Sequence, residues 1–285
     1  MDRVAFLRSL INTQGRGLEI GAGYNPLVPR SEGFDVEVAD HLDAAGLRAK
    51  YADSAHADAG RIEEVDYVLD TGSLTETIGR QPRYDYIVAS HVIEHTPDML
   101  GFLKDCEALL RPGGILLLAV PDKRHCFDVF QSLSSTGSII QAHLERRKRP
   151  PVAAIFDDRA YNAVRGDAIG WSPQSAEALR FFLDAKQAHA IFQGDKASSH
   201  YIDVHVWKFV PSSFRLIARD LHGFGELRLR EEAFFDSVGN EFYITLSEQG
   251  EGCPTDRLTL ARRALAEQAT IVIGDLPRFD SISVS

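Results

Sequence analysis

The sequence predicts an α/β fold, a Rossmann-like doubly wound sheet of seven strands with an antiparallel last strand and a helical insert after the fifth strand. Three observations carry this. Short apolar runs alternate with segments of helical periodicity, the pattern of a parallel sheet covered on both faces. The first run, Gly17-Leu18-Glu19-Ile20, leads directly into a glycine turn, Gly21-Ala22-Gly23. The next two runs each close on an acid, Asp40 and Asp70.

Val4, Leu7, Leu10 and Ile11 share one helical face, so the chain opens with a helix that packs on the sheet. Gly17–Gly21 is the first strand, Phe34–Asp40 the second, Val65–Asp70 the third and Tyr84–Ser90 the fourth. Leu42–Tyr51 reads as a short helix, and Pro97–Leu110 as a longer one that Pro112-Gly113-Gly114 ends. Gly114–Val120 is apolar throughout, as expected of a central strand. The regularity then breaks. Thr136–Arg147 reads as helix, Asp157–Trp171 as irregular, and Ser172–Gln193 as one long helix. Pro211 to Leu221 opens a helix again. Gly225–Phe235 and Glu241–Leu246 are the last strands, antiparallel partners at a sheet edge, and Pro254–Thr270 is a terminal helix.

With 285 residues, 44% of them hydrophobic, the chain can bury one large core with an elaborated insert. No apolar run approaches the roughly 20 residues that span a bilayer. The first residues, Met1-Asp2-Arg3-Val4-Ala5-Phe6-Leu7-Arg8, are too charged for a signal peptide. Cys106, Cys126 and Cys253 form neither a disulfide framework nor a thiolate metal site, which predicts a reducing, cytoplasmic setting. A net charge of −10 argues against nucleic acid as a partner. The local exception, Arg146-Arg147-Lys148-Arg149, reads first as a solvated helix end. Its other reading is contact with an anionic membrane surface, a glycan or a partner protein.

The glycine turn leaves no Cβ in the way of a ligand, and Asp40 stands where an acid grips ribose hydroxyls. A dinucleotide is disfavoured. Pro26 occupies the place of the third glycine, and Glu19 lies where a carboxylate repels pyrophosphate but suits a cationic ligand.

In this order the motifs resemble those of class I S-adenosylmethionine-dependent methyltransferases, over about residues 15–125. Glu19-x-Gly21-x-Gly23 is similar to the motif that cradles the amino-acid end of the cofactor, and Asp40 to the acid on its ribose. Asp70-Thr71-Gly72-Ser73-Leu74 resembles the segment at the adenine, and Asp85–His95 the fourth motif, with Ser90 at the strand end. Leu110-Arg111-Pro112-Gly113-Gly114 resembles the turn before the fifth strand. The resemblance implies that Glu19, Gly21, Gly23, Asp40, Asp70, Ser73, Leu74 and Ser90 hold S-adenosylmethionine. Val120-Pro121-Asp122-Lys123-Arg124 with Phe127-Asp128, and His205 to Phe214, are similar to bacterial methyltransferases of surface polysaccharide and glycan assembly. On that division residues 1–125 are the cofactor-binding core, 126–200 the insert or lid, 201–250 the last strands, and 251–285 a C-terminal helix and tail.

His91-Val92-Ile93-Glu94-His95 also spells H-x-x-E-H, a zinc-protease pattern. That chemistry needs one uninterrupted helix, whereas here the residues follow a strand and Pro97 stands just beyond them. The linear pattern therefore assigns no metal. A hydroxyl acceptor has to lose its proton as the methyl group arrives, and an imidazole suits that task. His95 is the first candidate, at the expected junction of cofactor and acceptor, then His91, then His205, with His200 weaker. Their bland reading is a polar loop hydrogen-bonded to backbone. Asp122, Lys123 and Arg124 stand where a substrate's polar groups enter, and Trp171 and Trp207 offer stacking faces or plain core. The expected reaction is O-methylation of a sugar or glycan hydroxyl. The alternatives are a phenolic, lipid or amine acceptor, or a non-catalytic binding module of the same fold in a glycan-assembly complex.

Overall fold

The computed structural model describes residues 2–54, 57–69, 72–175, 177–198 and 201–270. Asp70 and His200 lie outside these residues.

Seven strands form the main sheet: β1 (Gly17–Ile20), β2 (Val36–Asp40), β3 (Tyr67–Val68), β4 (Tyr84–Ser90), β5 (Leu110–Pro121), β8 (Arg230–Val238) and β9 (Glu241–Ser247), in the order β3-β2-β1-β4-β5-β9-β8. The first five run parallel. Strand β9, the last in the chain, pairs antiparallel with both β5 and β8, so the last two strands are antiparallel partners at the sheet edge, as expected. The register matters for function. Ile20 lies opposite both Ala39 and Ala89, so β1, β2 and β4 end level with one another. The loops that leave these strands therefore share one rim.

Side chains alternate between the faces, as the pleat dictates. Leu18, Ile20, Ile87, Leu116, Leu118, Phe242 and Ile244 face the larger core. Helices α4 (Met99–Leu109), α5 (Thr136–Leu144) and α8 (Pro211–Gly223) cover it through Leu103, Ile139 and Phe214. Val36, Tyr86, Val88, Leu117 and Tyr243 face the other way, against Leu7 of α1 (Arg3–Arg8). Short helices α2 (Ala44–Lys50) and α3 (Leu74–Ile78) fill the crossovers, and α9 (Arg257–Ala269) caps the chain with Leu260 and Ala264 buried. Among the described residues no helix is long and apolar enough to cross a membrane.

The stretch between β5 and α8 departs from its expected structure. The stretch Asp157–Trp171, read as irregular, instead holds the end of helix α6 (Val152–Tyr161) and strand β6 (Ala163–Arg165), which pairs antiparallel with β7 (Leu179–Phe181) from within the expected long helix. The single long helix over Ser172–Gln193 does not form. The Arg165 guanidinium donates to the carbonyls of Ser175 and Glu177, which fixes that stretch in an extended path. A new helix, α7 (Ala185–Asp195), starts only at Asp184, whose side chain caps it in a box closed by Gln187.

Candidate active site

At the rim, the turn after β1 bends through two left-handed glycines, Gly21 at φ +67° and Gly23 at φ +50°. A Cβ on Gly21 would stand 2.5 Å from Val92 Cγ2, so both the backbone angle and the space require glycine there. Gly23 N–H donates to Asp40 Oδ2 at 3.2 Å, tying the turn to the end of β2. Asp40 Oδ1 accepts from His41 N at 2.7 Å and lies 2.5 Å from His41 Nδ1. Tyr51, edge-on to Tyr24, closes the outer side of this turn.

Glu19 has a different task from the one expected. Both its oxygens accept from backbone, Leu27 N at 2.6 Å and Val28 N at 3.0 Å, and the carboxylate is buried. Burial pushes its pKa up to about 7, against the lowering effect of those two amides. Glu19 therefore anchors the loop that follows the glycine turn. Ser73 caps α3 in a box with Glu76, while Leu74 is buried. Ser90 Oγ accepts from Arg3 Nη2 at 2.8 Å.

Beyond β4 the chain turns sharply. His91 holds a positive φ of 53°, rare for a residue with a side chain. It is held there by its N–H to Ala119 O at 2.9 Å and by Nε2 at 2.9 Å from Glu241 Oε2. Residues Ile93–His95 then form a single 3-10 turn, not the helix a zinc protease needs. The Glu94 carbonyl accepts from both Val206 N and Trp207 N, at 2.7 and 3.0 Å, which brings His205 alongside. The rings of His95 and His205 meet edge-to-face with centroids 4.6 Å apart, and Phe127 packs on His205 at 4.5 Å. His95 Nδ1 lies 2.9 Å from Asp203 Oδ1, off the axis of a straight hydrogen bond, and His205 Nδ1 lies 2.5 Å from the buried Asp128. Asp203 also takes an ion pair from Lys50 Nζ at 2.8 Å.

The structure thus gathers His91, His95 and His205 around Glu94, which is fully buried. His91 is committed to Glu241, and of the other two His95 is partly exposed while His205 is buried. Sequence reasoning missed Glu94, Asp128 and Asp203 as partners. The spacing Asp203-x-His205 was the available signal, since alternate residues of an extended segment share a face.

The expectation that Asp122, Lys123 and Arg124 meet the substrate is overturned, and the two tryptophans take the second of their readings, plain core. Asp122 is fully buried, clamped by the Arg124 guanidinium and by Ser237 Oγ at 2.6 Å. Lys123 is also buried and donates Nζ to Val129 O at 2.8 Å. These residues brace the end of β5, and with Arg124 held on Asp122 none of them is free for a substrate. Trp207 is buried with Nε1 on Thr96 O, and Trp171 packs beneath the Arg165 guanidinium, so neither offers a stacking face.

A family model described as a methyltransferase domain matches residues 1–192. The chain belongs to that family. The matched stretch is a methyltransferase domain. Similar proteins include a ubiquinone biosynthesis O-methyltransferase of Parvibaculum lavamentivorans (strain DS-1), 37% identical over 23% of this chain and 26% of the relative. Another of that description, from Methylocella silvestris (strain DSM 15510), is 30% identical over 41% of this chain and 51% of its own. This methyltransferase thus spans about a quarter to a half of the curated relatives it matches. Among solved structures, a SAM-dependent methyltransferase of Methanosarcina mazei is 14% identical, covering 88% of this chain and all of its own, with a TM-score of 0.45.

The rim fits the donor. The two left-handed glycines carry no Cβ where an amino-acid end would lie, while their N–H groups tie the turn to Ala39 O and Asp40 Oδ2 at the end of β2. The Asp40 carboxylate is buried, with hydrogen-bond contacts to Gly23 N–H and to His41, whose side chain is partly exposed.

Proposed function

We propose that this methyltransferase transfers the methyl group to a hydroxyl oxygen that docks beside His95. The observation that carries the reading is the pairing of a glycine–Asp40 rim with an imidazole cluster one loop away, across level strand ends. Gly21, Gly23 and Asp40 would hold the donor, with Asp70 at the adenine as the motif implies. When bound, S-adenosylmethionine supplies an electrophilic methyl whose bond to sulfur breaks as the new bond to oxygen forms. The residues of the chain align the acceptor and remove its proton. His95 receives that proton, and Asp203 at Nδ1 keeps the ring turned and stabilises the charge it gains. Tyr201, whose hydroxyl reaches His95 O at 3.2 Å, and Phe127 on His205 line this place with aromatic faces.

Those faces favour an aromatic ring bearing the hydroxyl, as do the relatives named for O-methylation in ubiquinone biosynthesis. A sugar or glycan hydroxyl is the second reading. It is supported by the resemblance of His205–Phe214 and by the fact that sugars also stack on aromatic rings. Calorimetry with S-adenosylhomocysteine and a labelled-methyl assay over phenols, sugars and amines test both. We expect binding by the wild type, at least tenfold weaker binding by Asp40→Ala, and O-methyl product from a phenol. Unchanged binding in Asp40→Ala removes the donor site, and product only from amines removes the hydroxyl acceptor.

A further inference from the structure

We propose that Glu94, His95 and His205 bind a divalent first-row metal ion, and that the ion's open positions receive the acceptor's hydroxyl oxygen. The proposal rests on the O-methyl transfer reading for its purpose but on separate geometry for its existence.

The Glu94 side chain is 0% exposed, and neither carboxylate oxygen has a hydrogen-bond partner among the described residues. A bare carboxylate is among the costliest groups to bury. What surrounds it is nitrogen: His91 Nδ1 at 3.7 Å, His95 Nε2 at 3.8 Å and His205 Nε2 at 3.8 Å, all beyond hydrogen-bond reach. The opposite ring nitrogens of His95 and His205 face carboxylates, Asp203 and Asp128. Asp128 holds the proton on His205 Nδ1, and Asp203 lies 2.9 Å from His95 Nδ1, so in its neutral form each ring turns an Nε2 lone pair inward. Two nitrogen lone pairs and a carboxylate thus converge with no donor between them. Such a gap calls for a cation, and the carboxylate–histidine arrangement is the one that orients metal-binding imidazoles.

The dimensions agree. Donor atoms of the three residues lie within 4.8 Å of one another. A four-coordinate ion about 2.1 Å from each donor would set them about 3.4 Å apart, so side-chain shifts of well under 1 Å suffice. Two imidazoles and one carboxylate suit zinc, iron, cobalt or manganese better than magnesium or calcium. Three protein ligands leave positions open. His95 is the partly exposed member of the set, which puts the opening on the crevice side. An acceptor hydroxyl placed there loses its proton more readily in the field of the ion. With the ion bound, His95 is a ligand and the proton leaves to crevice water in place of the imidazole that takes it in the metal-free reading above, and the oxygen's electron pair forms the bond to the methyl carbon as the carbon–sulfur bond breaks.

The test uses the full chain, stripped with a chelator that is then removed, and titrated with Co2+ by visible absorption and with Zn2+ by calorimetry. We expect one ion per chain, d–d bands of a nitrogen–oxygen site, and at least tenfold weaker binding by Glu94→Gln and His205→Gln. His143→Gln, on α5 beside Asp98, should bind as the wild type does. Glu94→Gln removes a buried bare charge, so metal-free it should melt no lower than the metal-free wild type, and its loss of Co2+ is then not a loss of fold. No Co2+ uptake by the wild type, or equal uptake by the variants, overturns the proposal. S-adenosylhomocysteine binding and methyl transfer are followed in the same samples. Full transfer by ion-free protein overturns the metal and leaves the methyltransferase reading intact. Transfer lost on stripping and restored by Zn2+ or Mn2+, with S-adenosylhomocysteine binding unchanged throughout, supports it.

Discussion

Glu19 sits at the point where a buried strand meets the glycine turn, and its environment gives it an unusual pH dependence. Its carboxyl moves from an ordinary 4.5 to about 7 in the fold, because burial disfavours the charged form. The folded state therefore binds a proton that the unfolded state releases between those values. The stability this contributes is complete below pH 4.5 and is lost as pH rises to about 7, by on the order of 3 kcal/mol. Denaturant titrations of wild type and Glu19→Gln should show the wild type's advantage shrinking by that order between pH 5 and pH 8. A constant difference would mean that Glu19 titrates normally. The place of Glu19 in the glycine motif was legible in the sequence, but its partners were not. The amides of Leu27 and Val28 belong to a loop with no periodicity, and only the folded chain shows that they close on the carboxylate. Asp122 and Lys123 misled for the same reason. A charged residue after a central strand looks solvent-facing until its partners, Ser237 and Val129, are known.

At the scale of elements, α1 is bolted to the rim. Arg3 reaches over to Glu241 at the start of β9 and to Ser90 at the end of β4, and Glu241 in turn holds His91. Burial raises the Glu241 carboxyl, and the hydrogen bonds from Arg3 and His91 outweigh it, leaving a pKa of about 2 against an ordinary 4.5. This contribution is present above pH 4.5 and disappears as pH falls to about 2. Arg3→Ala should therefore lower stability at pH 7 by about 2 kcal/mol, an effect that fades on acidification. Chemical denaturation at pH 7 and pH 3 checks it, and an equal loss at both would assign Arg3 a packing role only. Element identity was readable wherever period and punctuation agreed, as for β4, α4 and β5. It failed over Ser172–Gln193, where alanines favour helix but the guanidinium of Arg165, a long-range partner, holds the chain extended.

For the whole molecule, the ion pair of Lys50 with Asp203 joins the end of α2 to the segment returning toward α8, across the mouth between the Asp40 rim and the histidine cluster. Partly exposed pairs of this kind are worth at most about 1 kcal/mol. Lys50→Ala should therefore raise the association rate of S-adenosylhomocysteine by up to about fivefold while moving the melting temperature little. Stopped-flow binding measures this, and an unchanged or slower rate would show that the pair does not gate entry. The order of layers and the glycine turn at the end of β1 were readable because they follow from local pattern and spacing. The histidine cluster was only half readable, since it joins residues that stand more than a hundred positions apart.

One feature of the insert bears on how such proteins diversify. Its two feet are zipped together before it begins: Lys123 N–H donates to Phe209 O at 2.9 Å, Ser134 N–H to Lys208 O at 3.0 Å, and Lys208 N–H to Ser134 Oγ at 3.0 Å. A loop whose ends are already joined adds little closure entropy when its contents change length. The stretch between can be exchanged as a cassette, with Asp128 near one foot and His205 near the other left in place.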